Sequence, residues 1–388
     1  MAQGADNPTK IWKQLLAQLK PVPVEGATPF AFRGFLNGLH QKNAALAESM
    51  LDDAIHDDAL AHWYPVLETA IREINKQGLR RLLRSLELGK APINNYRALE
   101  GGRVTDGLSG PDFKTLLQKI SDHSDGIYVA VEILYMRLFS DRVGISPDEF
   151  VEIGCELMLR LDVTVGADPN FAQRLQIVGR RCLLGDKGAA TVSEVCTKLR
   201  EAVYRSEASE YGHRELLQVF FNTQPLAVLQ ALCGDGDAKL VRTGVRILES
   251  SDLLHPQTFG VIPEEELVRW CDELPDVRYP IAAAGITAIR RDTDGPQWTE
   301  IARSTIDKSP DRVQVLRKFI RQFRLPAWDA PPAENAPSDL RLLDDLATHS
   351  DPELAAFAKN EKARLRQAIA ALKGIGPTVH MEPDERFE

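Results

Sequence analysis

The chain has 388 residues, of which 44% are hydrophobic and 27% are charged, a balance typical of a globular protein with at least one large core. Its 47 basic and 56 acidic residues give a formal charge of -9, which argues against attraction of the whole protein to nucleic acid or anionic lipid. No stretch reaches the ~18 to 20 apolar residues of a membrane-spanning helix, and the N-terminus lacks the apolar core of a signal peptide. We therefore expect a cytoplasmic protein without a membrane segment.

Residues 1–105 have the pattern of an N-terminal helical region with a proline-rich linker. Apolar residues at three- and four-residue spacing predict a first helix over residues 10–20, and the prolines within residues 21–29 end it. Three more helices are predicted, over residues 44–55, 59–76 and 79–88. Glycines within residues 89–110 indicate a loop, so we expect a domain boundary near residue 105.

Residues 106–222 are predicted to form a second helical domain. Ser146-Pro147-Asp148-Glu149 has the features of a helix start, with a capping hydroxyl, a proline for the first turn and a glutamate that can close a capping box. Alternating runs typical of strands are scarce, and the best candidate is the short stretch 163–165. Because the helical period persists from end to end, the predicted fold class is all-α and multi-helical.

Residues 223–374 are predicted to contain short, paired helices. The expected pairs are 224–232 with 238–249, 264–273 with 278–290, 297–306 with 311–324, and 339–348 with 353–372. Successive pairs begin roughly 40 residues apart, the length of one two-helix repeat, and stacked pairs would bury apolar faces that no single pair can bury alone. Residues 375–388 are expected to form a flexible tail.

Two passages in this third region carry a family resemblance. Residues 276–286 (DVRYPIAAAGI) contain the small residues that let helices approach closely, and residues 350–358 (SDPELAAFA) place Leu and Ala at packing positions after an Asp-Pro turn. Both resemble the two-helix units of HEAT and armadillo-like repeat proteins, over residues 223–372 at most. The resemblance implies an α-solenoid that binds other proteins and shares no catalytic residues with its relatives.

The sequence contains no recognised catalytic, cofactor-binding or metal-binding arrangement. Its five cysteines lack the two-residue gap of a zinc knuckle or redox dithiol, so we expect buried, reduced thiols. His56 lies among aspartates, but the spacing to His62 points the two rings to different helix faces, which favours a solvated face or a turn over a metal site. The turn Gly234-Asp235-Gly236-Asp237 lacks the lysine and hydroxyl residue of a phosphate-binding loop. We predict no catalytic residue, no cofactor and no metal.

Basic residues and tryptophans provide the remaining candidate surface. Arg317 and Arg321 lie four residues apart and can share one helix face, which could neutralise phosphates or meet an acidic partner. Tryptophans beside loops suit a protein interface. The predicted interaction surface consists of Arg312, Arg317, Lys318, Arg321, Arg324, Arg290, Arg291, Trp298 and Trp328. The alternative for the basic residues is a set of solvated faces and internal salt bridges.

These observations predict a non-catalytic helical-repeat scaffold or adaptor that binds one or more protein partners. The chain also resembles helical regions of bacterial multi-component conflict systems, and this resemblance implies a subunit of an anti-phage defence complex. One alternative is a nucleic-acid-binding adaptor that uses the arginine-rich helix face and binds more weakly as salt increases. A cryptic enzyme would instead need perturbed carboxylates or histidines gathered in one pocket.

Overall fold

The computed structural model describes residues 7–23, 26–138, 147–166, 169–234, 237–293, 295–323 and 339–374. These residues are predominantly helical, and the sheet that they contain is one two-stranded hairpin, which confirms the all-α prediction as a fold class. The chain forms two compact units, unit 1 (residues 1–247) and unit 2 (residues 248–388). The finer domain division expected from the sequence stays a prediction. Within the described ranges, no helix is long and apolar enough to span a membrane.

Among the described residues, unit 1 contains α-helices of 5 to 20 residues, and 3₁₀ segments occur before α4 and between α5 and α6. The α-helices are α1 (Pro8–Leu19), α2 (Phe30–Lys42), α3 (Ala44–Ala54), α4 (Tyr64–Glu68), α5 (Lys76–Leu88), α6 (Gly110–Ser121), α7 (Gly126–Arg137), α8 (Pro147–Leu159), α9 (Pro169–Cys182), α10 (Gly185–Tyr204), α11 (Arg214–Thr223), α12 (Pro225–Cys233) and α13 (Ala238–Ser250). The 3₁₀ segments are Ala61–Trp63 and Ile93–Gly107. The division between the two units falls near the end of α13.

Polar side chains determine where several of these helices begin. Asn43 accepts a hydrogen bond from the backbone N–H of Leu46 at 3.1 Å at the start of α3. Asn75 accepts from the backbone N–H groups of Gln77 and Gly78, each at 2.9 Å, at the start of α5. These caps satisfy donors that have no partner inside the helix.

Two stretches of unit 1 differ from the sequence-based prediction. The helix expected over residues 59–76 is replaced by the 3₁₀ turn Ala61–Trp63, the short α4 and a non-helical segment. Pro65 lies in the first turn of α4, where its missing N–H is harmless, and a proline cannot occupy the middle of a longer helix without breaking it. The loop expected over residues 89–110 contains the 3₁₀ segment Ile93–Gly107.

Helices α6 to α12 of unit 1 pack in two layers. One layer contains α6, α8, α10 and α12 in succession, and the other contains α7, α9 and α11. Pairs such as α6 with α7 and α8 with α9 join the layers. Glycine permits close approach at two of these contacts, because an added Cβ at Gly154 would lie 2.1 Å from Cys182 Cβ and one at Gly179 would lie 2.3 Å from Val219 Cγ1.

The described residues of unit 2 form further helices and the hairpin. Its elements are the 3₁₀ turn Thr258–Val261, α14 (Glu264–Glu273), α15 (Pro275–Gly285), β1 (Ile289–Asp292), β2 (Gly295–Trp298), α16 (Glu300–Lys308), α17 (Arg312–Ile320), α18 (Leu342–Leu346) and α19 (Pro352–Gly374). Helix α15 contacts α14, α16 and α17, while α19 contacts α17 and α18. The buried side chains of Tyr279 and Phe319 lie in this core.

The hairpin replaces the end of the helix predicted over residues 278–290. Helix α15 ends at Gly285, where an added Cβ would lie 2.4 Å from the ring of Phe259, and the β-branched residues that follow favour an extended backbone. Strands β1 and β2 pair antiparallel, and Gly295 begins β2 with a φ of +104°, which side-chain-bearing residues rarely adopt. The strand candidate 163–165 lies in a turn and bend of unit 1, so that expectation is wrong.

Candidate functional site

The surface predicted from the sequence lies in unit 2, where two of its arginines hold the unit together. Arg312 places Nη1 2.7 Å from Asp351 Oδ2 and also donates to the backbone carbonyl of Asp307 at 3.1 Å. Its hydrogen bond is the main cause of the lowered pKa of Asp351. Arg291 on β1 places Nη2 2.6 Å from Asp339 Oδ2, and the Asp339 side chain is only 1% exposed. Both arginines therefore join segments that are distant in sequence.

Trp298 and Arg290 also make contacts within unit 2. Trp298 is half-buried, its Nε1 donates to the Leu342 carbonyl at 3.0 Å, and its ring centroid lies 6.0 Å from that of Phe319. Arg290 donates to the Gln297 side chain across the hairpin at 3.2 Å. Trp298 therefore packs the hairpin against the core of unit 2, and Arg290 links the two strands of the hairpin.

Three predicted residues remain, and we term them the basic surface: Arg317 and Lys318 on α17, and Arg321, which directly follows it. Arg317 and Arg321 are exposed and Lys318 is half-buried. None of the three forms an ion pair with another residue in the described part of the chain. The Arg317 guanidinium lies 5.3 Å from the ring centroid of Phe357 on α19, a cation–π contact that orients it.

The basic surface offers three positive charges within about one helical turn, an arrangement that suits phosphates or an acidic protein segment. Two other predicted members, Arg324 and Trp328, lie outside the described residues. The structure thus separates one predicted surface into residues that stabilise unit 2 and residues that face solvent.

Unit 1 presents a second surface that the sequence analysis missed. We term it the loop edge; it comprises the α6–α7, α8–α9 and α10–α11 loops within residues 122–125, 160–166 and 205–213. Arg160 joins the first two loops, because its Nη1 donates to Ser121 Oγ at 2.9 Å and pairs with Asp122. Gly166 and Gly212 join the second and third loops, since a Cβ at Gly166 would lie 3.1 Å from the Gly212 carbonyl oxygen.

Two apolar side chains of the loop edge are exposed. Val165 is 53% exposed and Tyr211 is 72% exposed, and each adjoins one of the two touching glycines. Their loops are held by side-chain hydrogen bonds to the backbone: Asp162 Oδ1 accepts from the Thr164 N–H at 2.9 Å, and Ser209 Oγ accepts from the Tyr211 N–H at 3.3 Å. A single valine and a single tyrosine in two loops form no sequence pattern, which is why sequence reasoning passed over them.

A buried histidine lies within the loop edge. His213 is only 3% exposed, and it has a backbone hydrogen bond with Val163 and the charge of Asp162 nearby. Burial lowers its pKa, because the charged imidazolium loses hydration, and the contacts with Val163 and Asp162 only partly oppose this effect. At neutral pH the ring is therefore uncharged, and it packs between the α8–α9 loop and the α10–α11 loop.

A set of buried charges in unit 1 forms a structural network around α5. Arg81, with 4% of its side chain exposed, places Nη2 2.8 Å from Glu68 Oε1 and Nε 3.0 Å from Glu68 Oε2, and it also pairs with Glu48. The Tyr64 hydroxyl donates to the same Glu68 carboxylate. Burial opposes the charge on Arg81, but hydrogen bonds and attraction to Glu68 outweigh it and raise the Arg81 pKa. The network joins α3, α4 and α5.

The cysteines of the chain are placed unfavourably for nucleophilic catalysis. The five cysteines are free and buried. Burial raises the pKa of Cys182 and of Cys271 to about 12, so both are protonated thiols at neutral pH and weak nucleophiles. Among the described residues, no group of three or more His, Cys, Asp or Glu side chains could hold a metal ion.

Comparison with known proteins identifies no relative of this chain. No protein-family model, no curated protein and no solved structure matches it.

Proposed function

We propose that the protein is a non-catalytic helical-repeat scaffold that binds a protein partner through the loop edge of unit 1. The observation that carries the proposal is the exposure of Val165 and Tyr211 on two loops whose backbones touch at Gly166 and Gly212. The proposal extends to a HEAT- or armadillo-like repeat architecture in a cytoplasmic, multi-component complex, such as a bacterial anti-phage defence assembly.

The chemistry of the loop edge favours a protein over a small molecule. Tyrosine is enriched at interface hot spots because it combines a large apolar ring with a polar hydroxyl and few rotatable bonds. Loops that are already held by hydrogen bonds lose little conformational entropy on binding. Arg205 and Glu207, an exposed ion pair in the α10–α11 loop, supply the polar rim that surrounds most interface cores.

Affinity capture from native cell lysate tests this proposal with a matched pair of variants. We expect a stoichiometric protein partner that survives nuclease treatment, is lost with the double variant Val165→Ser, Tyr211→Ala, and is retained with Phe30→Ala. Phe30 is the control because it is 69% exposed on α2 of the same unit. Capture that is insensitive to the double variant would contradict the loop edge as the interface.

A second candidate function is nucleic-acid binding by the basic surface. It is favoured by one observation, the absence of acidic partners for Arg317, Lys318 and Arg321 among the described residues. The triple variant to glutamine should weaken binding of a double-stranded DNA probe and reduce the slope of log K against log salt concentration by roughly 0.9 per lost phosphate contact. The control replaces three exposed basic residues of unit 1: Arg80, Arg84 and Lys90. Equal effects of the two triple variants would indicate non-specific attraction.

A further inference from the structure

Unit 1 contains a cleft that neither function uses. Its volume is about 500 Å³, which is within the range of pockets that hold small organic molecules. It lies between the 3₁₀ segment Ile93–Gly107 and the first two turns of α7 and α9.

A buried carboxylate flanked by two arginines forms the charged part of the cleft. The Glu132 side chain on α7 is 8% exposed. Arg97 places Nε 2.9 Å from Glu132 Oε2, and Arg174 on α9 pairs with Glu132 Oε1. Because a buried carboxylate requires compensating charge, the two guanidinium groups are held in place at the cleft.

Arg97 retains hydrogen-bonding capacity beyond this ion pair. Its side chain is 49% exposed, and its contact with Glu132 is made through Nε. Among the described residues, neither Nη atom of Arg97 has a hydrogen-bond or ion-pair partner. Two Nη groups present N–H donors in one plane, a geometry that matches the two oxygens of a carboxylate. Arg174 has less free hydrogen-bonding capacity than Arg97, because its Nη1 contacts Glu132 and also lies 3.8 Å from Glu100 Oε2.

The acidic residues of the cleft restrict the charge of a ligand. Glu132 and Asp125 both line it, so they would repel a phosphate dianion approaching Arg97. A monoanion needs only one guanidinium partner and meets less repulsion. The arrangement therefore favours a carboxylate over a phosphate.

Two aromatic side chains supply an apolar wall. The rings of Tyr128 and Phe171 line the cleft, with centroids 4.8 Å apart and planes at 72°. Such an edge-to-face pair presents a surface against which another ring can pack. The amide side chains of Asn94 and Gln173 add polar groups to the lining.

We infer that this cleft binds a small monocarboxylate with a ring-sized apolar body. Arg97 holds the carboxylate through its Nη groups, and Tyr128 with Phe171 contacts the body. The inference adds a small-molecule ligand to the chain and is independent of the partner-binding proposal, because it involves different residues and a different class of ligand.

Calorimetric titration of the full chain with four probes tests the ligand class. We expect saturable binding of phenylacetate, weaker binding of acetate, which lacks the ring, and no binding of phenylethanol, which lacks the charge. Phenyl phosphate should bind more weakly than phenylacetate near pH 7.5, where it is mostly dianionic. Absence of phenylacetate binding would overturn the inference, and tighter binding of phenyl phosphate would overturn the assignment to a carboxylate.

The variant Arg97→Lys separates ligand binding from a purely structural role. Lysine keeps the positive charge beside Glu132 but loses the planar pair of Nη groups, so we expect phenylacetate affinity to fall roughly tenfold with little change in Tm. The control Arg84→Lys changes an exposed arginine of α5 and should leave affinity unchanged. Unaltered affinity in Arg97→Lys, or equal losses in both variants, would show that Arg97 does not hold the ligand.

Discussion

Helices α5 and α17 carry similar clusters of basic residues but use them differently. On α5, Arg81 is 4% exposed and is bound by the carboxylates of Glu68 and Glu48. On α17, Arg317 and Arg321 face solvent and have no acidic partner among the described residues. The contrast teaches that the role of an arginine follows from the carboxylates that the fold brings to it, because an isolated charge can remain exposed but cannot be buried unpaired.

The largest expected effect comes from removing the buried arginine of α5, Arg81. Arg81→Met keeps the length of the side chain but leaves Glu68, which is 0% exposed, without its cation. We expect a loss of about 3–5 kcal/mol in the free energy of unfolding, measured by chemical denaturation. Arg84→Met is the control, since Arg84 is 54% exposed on the same helix and should change stability by less than about 0.5 kcal/mol. Equal losses would contradict a structural role for the network.

A pair of glycine variants tests how rigidly Glu68 is held by Arg81. An added Cβ at Gly78 on α5 would lie 2.5 Å from Glu68 Oε1, and Glu68 cannot move away without breaking its pair with Arg81. We expect Gly78→Ala to cost about 1–3 kcal/mol of stability. Gly34→Ala on α2 meets no atom within 4 Å and should instead add about 0.5–1 kcal/mol. A gain of stability in both variants would show that the network tolerates displacement.

The contrast between buried and exposed ionisable groups extends to pH. Because burial lowers the pKa of His213 below its ordinary value of 6.5, the unfolded chain takes up the proton first as pH falls. Stability contributed by the neutral ring is complete above about pH 6.5 and decreases below it, by at most about 1.4 kcal/mol per pH unit for one proton. We expect His213→Gln to reduce this slope in denaturation curves at successive pH values. A slope identical to that of the unaltered protein would exclude His213 as its source.

The smallest expected effect on stability comes from replacing the residues of the basic surface. Replacing Arg317, Lys318 and Arg321 with glutamine removes no ion pair within the described residues, but it removes the cation–π contact of Arg317 with Phe357. Stability should therefore fall by less than about 1 kcal/mol at Arg317 and change by less than about 0.5 kcal/mol at each of the other two sites. Thermal unfolding measures this directly. A larger loss would reveal that the basic surface has a structural role like that of Arg81.

Local signals predicted helices well wherever apolar periodicity and end signals agreed. The predicted helix 264–273 coincides with α14. The predicted helices 224–232 and 238–249 correspond to α12 and α13, and no end differs by more than one residue. The helix expected over 278–290 is wrong beyond Gly285, because contact with Phe259 and the pairing of β2 with β1 involve residues distant in sequence. Periodicity does not encode such contacts.

The two-layer packing of α6 to α12 illustrates the same limit. Paired helices were expected from residue 223 onward, whereas the clearest alternation between layers occupies residues 110–233. Its contacts depend on close approach at positions such as Gly154 and Gly179, where small size matters more than hydrophobicity. Hydrophobic spacing predicts that a helix buries one face, but it does not identify the neighbour on which that face packs.

The sequence by itself determined the helical fold class, the start of α8 at Pro147, and the five cysteines as buried thiols. It also located the basic residues of α17. Only the tertiary structure decided which arginines are paired, which loops touch, and that Arg97, Glu132 and Arg174 meet in one cleft. The physical reason is range: periodicity and capping act within a few residues, whereas charge pairing and cleft formation join side chains that only folding brings together.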